Sequence, residues 1–431
     1  MAQEEIKTRE TAILVACFLD HRDIERSRLS LEELHELART AGVEVVETIT
    51  QNRERVDAAW YLGSGKIQEI AERARALSVD LIIFNDELSP SQVRNLDQAF
   101  DCKVIDRTQL ILDIFAARAQ SREGKIQVEL AQYSYLLPRL AGQGKQLSRL
   151  GGGIGTRGPG ETKLESDRRH IRRRISELKA QLQDIVRTRQ LHRERRKKNQ
   201  VFQVALVGYT NAGKSTLLNQ LTHADILQED KLFATLDPTT RQLTLPNGME
   251  VLLTDTVGFI QDLPTALVAA FRSTLEGVKE ADLILHVVDS HHPDLEIHME
   301  VVERVLRDLK AETIPRLTVF NKADLLRPGT YLPRVEDAIV ISAMNPDDLL
   351  QLVQRIEAHA SASFQPVTLK VPVERGDILS LLRREGVELE QEYAEADSSY
   401  LVRVRLNREH PVYGRIAPYM IDKPQTMEES W

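Results

Sequence analysis

A lysine, a serine, two aspartates and a set of glycines stand at the spacing that phosphate chemistry needs. Gly208-Tyr209-Thr210-Asn211-Ala212-Gly213-Lys214-Ser215 fits G-x-x-x-x-G-K-[ST] at every fixed position. In that pattern the glycines let backbone N–H groups close round phosphates, and the following helix adds its positive N-terminal end. The lysine reaches the β- and γ-phosphates, and the serine hydroxyl is a ligand for Mg²⁺. About forty residues later, Asp255-Thr256-Val257-Gly258 supplies D-x-x-G, in which Asp255 can hold the metal through water and the Gly258 N–H can face the γ-phosphate. Asn321-Lys322-Ala323-Asp324 then forms N-K-x-D. The Asp324 carboxylate can accept two hydrogen bonds from guanine N1–H and the 2-amino group, a donor pair that adenine lacks, so GTP and not ATP is expected. Ser342-Ala343-Met344 follows, placed to meet the base carbonyl through backbone N–H.

Each motif needs a strand to carry it, and each has one in the pattern. Val204 to Val207, Val251 to Asp255, Leu317 to Phe320 and Ile339 to Ile341 are short apolar runs ending on the motifs, and Ser215 to Leu221 reads as the helix leaving the first loop. From Gln200 to about Ala360 this alternation predicts one doubly wound domain. Between loop and D-x-x-G, Phe233 to Thr240 is polar and turn-rich, and Thr235, Thr239 and Thr240 all qualify chemically as the threonine completing the Mg²⁺ shell. After Gly258 stands Phe259, which cannot hydrogen-bond to water; intrinsic hydrolysis is therefore expected to be slow and to need a partner. The plainer alternative makes Phe259 a core residue.

At 431 residues the chain exceeds what one hydrophobic core usually supports, so two or three domains are expected. Thr11 to about Leu112 alternates strand-like runs (Ala12 to Ala16, Leu81 to Phe84) with helical spacing (Leu31 to Ala41, Lys66 to Leu77), a small α/β domain. Its Gly63-Ser64-Gly65-Lys66 looks like half a phosphate loop but lacks the first glycine, and a strand-to-helix turn is preferred. A long helix is expected from about Thr108 to Leu137. Its Ile126, Leu130, Tyr133 and Leu137, with Leu164, Ile171, Ile175, Leu178, Leu182 and Ile185 further on, predict a helical hairpin packed seam to seam, with a coiled-coil dimer as the alternative. Eight of the chain's 21 glycines lie between Ala141 and Gly160, with Lys145, Arg149 and Arg157: a mobile linker, or a surface that approaches phosphate backbone closely. Lys163 to Lys198 carries a net +9 while the whole chain carries −8. Arg168, Arg169, Arg172 and Arg173 on successive turns suit structured RNA, against the plain reading of a solvated face. Val367 to Val373, a helix near Ile378 to Glu385 and Tyr400 to Leu406 suggest a small β-α-β extension.

Composition bounds the class. With 42% apolar and 28% charged residues, two cysteines without metal or disulfide spacing, and no apolar run of bilayer length, the chain reads as a globular protein of a reducing compartment, hence cytoplasmic, with no membrane segment. The fold class expected is α/β: a P-loop doubly wound sheet preceded by a small α/β domain and a long helical hairpin, and followed by a small α+β extension. The divisions fall at 1–112, 113–200, 201–362 and 363–431.

The motifs G-Y-T-N-A-G-K-S, F-A-T-L-D-P-T and D-T-V-G-F, with the loop Arg149 to Glu161, resemble the HflX family of ribosome-associated GTPases, relatives of the Obg group. The resemblance implies that Thr235, within Phe233-Ala234-Thr235-Leu236-Asp237, is the metal-side threonine, acting with Lys214 and Gly258 in catalysis and with Ser215 on Mg²⁺. It also implies association with the large ribosomal subunit and its rRNA through the N-terminal region, and a role in splitting, rescuing or recycling ribosomes under stress. A monomer is expected. The competing readings are an RNA-binding assembly factor in which GTP mainly stabilises a binding conformation, and an ATP-driven remodeller, which Asp324 disfavours.

Overall fold

The computed structural model describes residues 9–19, 24–140, 163–198, 201–222, 232–233, 239–261, 276–363, 365–384, 389–394, 398–406 and 412–421. Among the described residues no helix is long and apolar enough to cross a membrane. Three sheets organise the described residues.

The first is a four-stranded parallel sheet of β1 (Thr11–Phe18), β2 (Glu44–Asn52), β3 (Leu81–Phe84) and β4 (Lys103–Asp106), in the order β2-β1-β3-β4. Alternation along β1 sends Ala12 and Leu14 to one face and Ile13 and Val15 to the other, and both faces are buried. α1 (Ile24–Ala41) covers the first face, and α2 (Ser64–Leu77) and α3 (Pro90–Ala99) cover the second.

The single long helix expected from Thr108 to Leu137 is two helices, α4 (Arg107–Arg118) and α5 (Arg122–Arg139). Ala119 turns extended and the Ser121 side chain accepts the Gly124 N–H at 2.8 Å, so a new N-terminus is capped within Gln120 to Lys125, a stretch that carries no apolar side chain. α5 then packs against α6 (Lys163–Lys198) as a hairpin. Ile126, Leu130, Tyr133, Ile175, Leu178, Leu182 and Ile185 form its seam, and Arg174 holds Glu129 across it at 2.8 Å. The side chain of Leu164 lies outside the described residues, as does the glycine-rich loop with Lys145, Arg149 and Arg157.

The second sheet is the doubly wound one anticipated from the motifs. β5 (Phe202–Gly208), β6 (Thr239–Thr244), β7 (Glu250–Asp255), β8 (Leu283–Asp289), β9 (Arg316–Asn321) and β10 (Ala338–Val340) run in the order β10-β9-β8-β5-β7-β6, parallel except for β6. α7 (Lys214–Thr222) and α9 (Pro346–Ser363) cover one face, and α8 (Leu295–Asp308) the other. The switch in strand order falls beside β5, where an open parallel sheet places its ligand crevice.

The third sheet is antiparallel: β11 (Gln365–Pro372), β12 (Leu389–Ala394) and β13 (Ser399–Leu406), ordered β11-β13-β12, with α10 (Gly376–Arg384) packed on Val367, Leu369, Val402 and Val404. β12 has no counterpart in the expected β-α-β extension, because Glu390-Gln391-Glu392 hides a strand in a charged run.

Candidate functional site

The strand that carries the phosphate loop comes so close to its neighbour that only glycine fits at its end. A Cβ on Gly208 would lie 2.2 Å from the Val287 carbonyl oxygen of β8. The loop then bends through Asn211 at φ +61° and Gly213 at φ +92°, left-handed conformations that asparagine and glycine tolerate best. A Cβ on Gly213 would meet Asn321 Nδ2 at 2.3 Å. That close approach has a use: Asn321 Nδ2 donates to the Ala212 carbonyl at 2.9 Å, tying N-K-x-D to the phosphate loop.

Lys214 is buried, and its Nζ donates to the carbonyls of Gly208 (3.1 Å) and Tyr209 (2.7 Å). Burial brings its pKa down to about 8, while the neighbouring Asp255 pulls the other way. A desolvated ammonium of this kind gains a great deal when an anion arrives. Ser215 Oγ donates to Asp255 Oδ2 at 2.7 Å. These two oxygens are hard donors of the kind a Mg²⁺ ion takes. Among the described residues no three His, Cys, Asp or Glu gather to hold a metal alone, so a cation here would take further oxygen ligands beyond these two side chains.

Gly258 lies over the mouth of the loop. A Cβ there would be 2.8 Å from Thr210 Cγ2 and 3.1 Å from Lys214 Nζ. Thr256 Oγ1 donates to the Leu206 carbonyl at 2.7 Å, and reciprocal backbone bonds join Thr210 N to Phe259 O (2.8 Å) and Phe259 N to Gly208 O (3.1 Å). The side chains from Val257 to Ile260 divide between two cores: Val257 and Ile260 join the N-terminal one, while Phe259 packs with Ala205, Val207, Val278 and Ile284 under α8. Phe259 is 1% exposed, so here its ring is core rather than a group held over reacting water.

The base-side motifs also come together. Asp324 Oδ1 accepts from Ser342 Oγ at 2.6 Å, and Lys322, at φ +63°, pairs with Asp289 at 2.7 Å. The backbone N–H groups expected to meet the base are engaged within the protein: Ser342 with Asp348 (2.8 Å), Ala343 with Asn321 Oδ1 (3.0 Å), and Met344 with Ser342 Oγ (3.3 Å). Ala323 N donates to Ile341 O, and Met344 is largely exposed. Of the intervening segment, Ala234, Thr235, Leu236 and Asp237 lie outside the described residues. Thr239 and Thr240 begin β6, where Thr240 Oγ1 meets Thr254 Oγ1 at 3.0 Å. The Phe233 ring, expected at the nucleotide, is turned away into the N-terminal core. It packs edge-on against Phe115 at 4.6 Å, because an apolar ring gains more there than beside phosphates.

Motif reading missed a buried polar network joining the loop to the first sheet's layer. Tyr209 Oη donates to Glu33 Oε2 (2.8 Å) and accepts the Gln261 N–H (2.7 Å). Arg107 pairs with Glu33 at 3.1 Å and donates to the Gln261 carbonyl at 3.3 Å. Burial raises the pKa of Glu33, against the pull of Arg107, and raises that of the Tyr209 hydroxyl as well. The Tyr209 ring stacks on His298 at 3.7 Å. A tyrosine at a variable motif position, with no period linking it to Glu33, leaves no mark that sequence could expose. On the hairpin, Arg169, Arg172 and Arg173 are exposed and Arg168 is half-buried.

Three family models match in sequence order: the GTP-binding GTPase N-terminal region over residues 28–116, the GTP-binding GTPase middle region over 118–196, and the 50S ribosome-binding GTPase over 203–322. GTPase HflX of Alkalihalophilus pseudofirmus is 54% identical over 96% of this chain and 98% of its own length. The protein of the same name from Caldanaerobacter subterraneus subsp. tengcongensis is 52% identical over 91% and 90%, and that from Escherichia coli K12 is 42% identical over 92% and 93%. Identity at that level, sustained from the N-terminal layer through the phosphate loop, leaves one assignment: the chain belongs to the HflX family of GTPases, and its GTP-binding domain hydrolyses GTP.

Proposed function

We propose that this protein is a Mg²⁺-dependent GTP switch of the cytoplasm. As a monomer it binds the large ribosomal subunit through rRNA and acts in splitting, rescue or recycling of ribosomes under stress. The observation that carries the reading is the placement of the Val257 to Ile260 segment, whose side chains are shared between the nucleotide-binding core and the N-terminal core. A γ-phosphate that draws on Gly258 then acts on the part of the chain leading into the basic hairpin. The matched family description, 50S ribosome-binding GTPase, supports the choice of partner.

In this reading the chain divides at 1–112, 113–200, 201–362 and 363–431. Residues Gly208 to Ser215 cradle the phosphates, Lys214 holds the β- and γ-oxygens, Ser215 and Thr235 flank the metal, Asp255 orients it through water, and Asp324 reads guanine. When bound, the metal neutralises charge developing on the phosphates. Arg149, Arg157, Arg168, Arg169, Arg172 and Arg173 contact RNA backbone. Hydrolysis is slow alone because the residue immediately after Gly258 is Phe259, which cannot hydrogen-bond to water, and the ribosome accelerates it.

The test is GTP turnover by the full chain alone and with each isolated ribosomal subunit. The proposal expects acceleration by the large subunit and loss of nucleotide-dependent association in Lys214→Ala. Unchanged association in that variant would favour an assembly factor in which nucleotide only stabilises one conformation. Rapid turnover indifferent to either subunit would overturn both readings.

A further inference from the structure

The side chain of Thr210 has no assigned use. The residue is 7% exposed, and its Oγ1 is buried without a hydrogen-bond partner among the described residues, a costly condition for a hydroxyl unless it serves something. Its surroundings narrow what that could be. The Thr210 N–H is taken by the Phe259 carbonyl at 2.8 Å, and its Cγ2 touches the space beside Gly258. Lys214 Nζ borders the same space. Thr210 also lines a cleft of about 460 Å³ between α1 and the loop, with Glu33, Gln261 and His298 on its walls.

We infer that Thr210 Oγ1 is a catalytic hydrogen-bonding group for the water that attacks GTP. It stands at the place where Phe259, turned into the core, supplies none. Its oxygen accepts a hydrogen bond from the water while its own O–H donates to a γ-phosphate oxygen. The water oxygen forms the bond to the γ-phosphorus, and the bond from phosphorus to the β,γ-bridging oxygen breaks with its electron pair leaving on GDP. The water proton ends on the released phosphate. Threonine suits the position because its methyl group fills the contact beneath Gly258 and leaves the hydroxyl a restricted set of rotamers. This inference rests on the GTPase chemistry alone and not on the ribosomal partner.

The test compares Thr210→Val, which keeps the shape and removes the hydroxyl, with Thr210→Ser, in the full chain with Mg²⁺. Single-turnover GTP hydrolysis in Thr210→Val is expected to fall about 10- to 100-fold, with GDP and GTP affinities within about threefold of the parent. Aluminium fluoride, which completes a transition-state mimic on GDP, should no longer slow GDP release from that variant. Thr210→Ser should keep both properties. Hydrolysis by Thr210→Val at the parent's rate overturns the inference. So does an equal loss in Thr210→Ser, which would assign the effect to the methyl contact, or a parallel loss of GDP and GTP binding, which would make Thr210 a structural residue of the loop.

Discussion

The hydroxyl of Tyr209, inside the phosphate loop, donates a 2.8 Å hydrogen bond to the carboxylate of Glu33, 176 residues earlier in the helix that covers the first sheet. The same oxygen accepts the Gln261 N–H just past D-x-x-G, so one atom fixes three separate stretches of chain. Tyr209→Phe removes this joint and leaves a buried carboxylate oxygen and an N–H without it. The expected cost is about 1–3 kcal/mol of stability, measured by urea unfolding. Tyr331→Phe, at a 72% exposed position, should stay within about 0.5 kcal/mol.

Guanine selection is expected to follow Asp324. Asp324→Asn exchanges an acceptor for an amide that can donate, so GTP affinity should fall at least about 100-fold while xanthosine triphosphate, with a carbonyl at the 2-position, gains. Competition binding with GTP, XTP and ATP checks it. The 2.6 Å bond from Ser342 to Asp324 predicts a milder loss in Ser342→Ala, since that hydroxyl only orients the carboxylate.

Nucleotide binding should become coupled to proton uptake in mild alkali. Lys214 has a pKa of about 8 in the nucleotide-free protein, below its ordinary 10.5, and phosphate oxygens would raise it again. Above pH 8 the free protein therefore carries neutral Lys214 and must take up a proton to bind GTP, so affinity weakens as pH rises from about 8 towards 10. Calorimetry at pH 8.5 in buffers of different ionisation enthalpy should show that uptake in the parent and not in Lys214→Met.

Acid should destabilise the fold through His286, buried in the middle of β8 and held neutral. Burial is the main cause of its low pKa, about 3 against an ordinary 6.5, with Arg316 and Lys214 adding repulsion. Its folded pKa lies below the unfolded one, so its contribution is fully present above about pH 6.5 and is lost progressively as pH falls towards 3. The urea midpoint should therefore drop over that window by more in the parent than in His286→Leu. An equal drop in both would assign the acid sensitivity to carboxylates elsewhere.

Local signals were enough to read the motif-bearing strands and the hairpin seam. β3 begins at Leu81 and ends at Phe84 as its apolar run does, and β5, β7 and β9 each end on the motif they carry, because buried parallel strands are continuous apolar runs. The break at Ala119 falls where Gln120 to Lys125 carries no apolar side chain, but with no proline there a polar turn of one long helix reads the same as two helices parted by the Ser121 cap. Phe233 and Phe259 could be assigned a segment but not a direction, since which core takes a ring depends on residues such as Phe115 and Val278 far away in sequence. The Tyr209 to Glu33 contact is of the same kind. Long-range polar pairs obey no period, so one sequence alone gives no handle on them.

Leu232, Phe233, Val257 and Ile260 all spend their apolar surface on the N-terminal core, and each is under 9% exposed. A fragment starting at Val201 would keep the phosphate loop and every base-reading residue yet present these four side chains to water. Such a fragment should be poorly soluble and prone to self-association, whatever its affinity for GTP. Its handling in solution, as much as its turnover, will reveal how far the nucleotide-binding part depends on what precedes it.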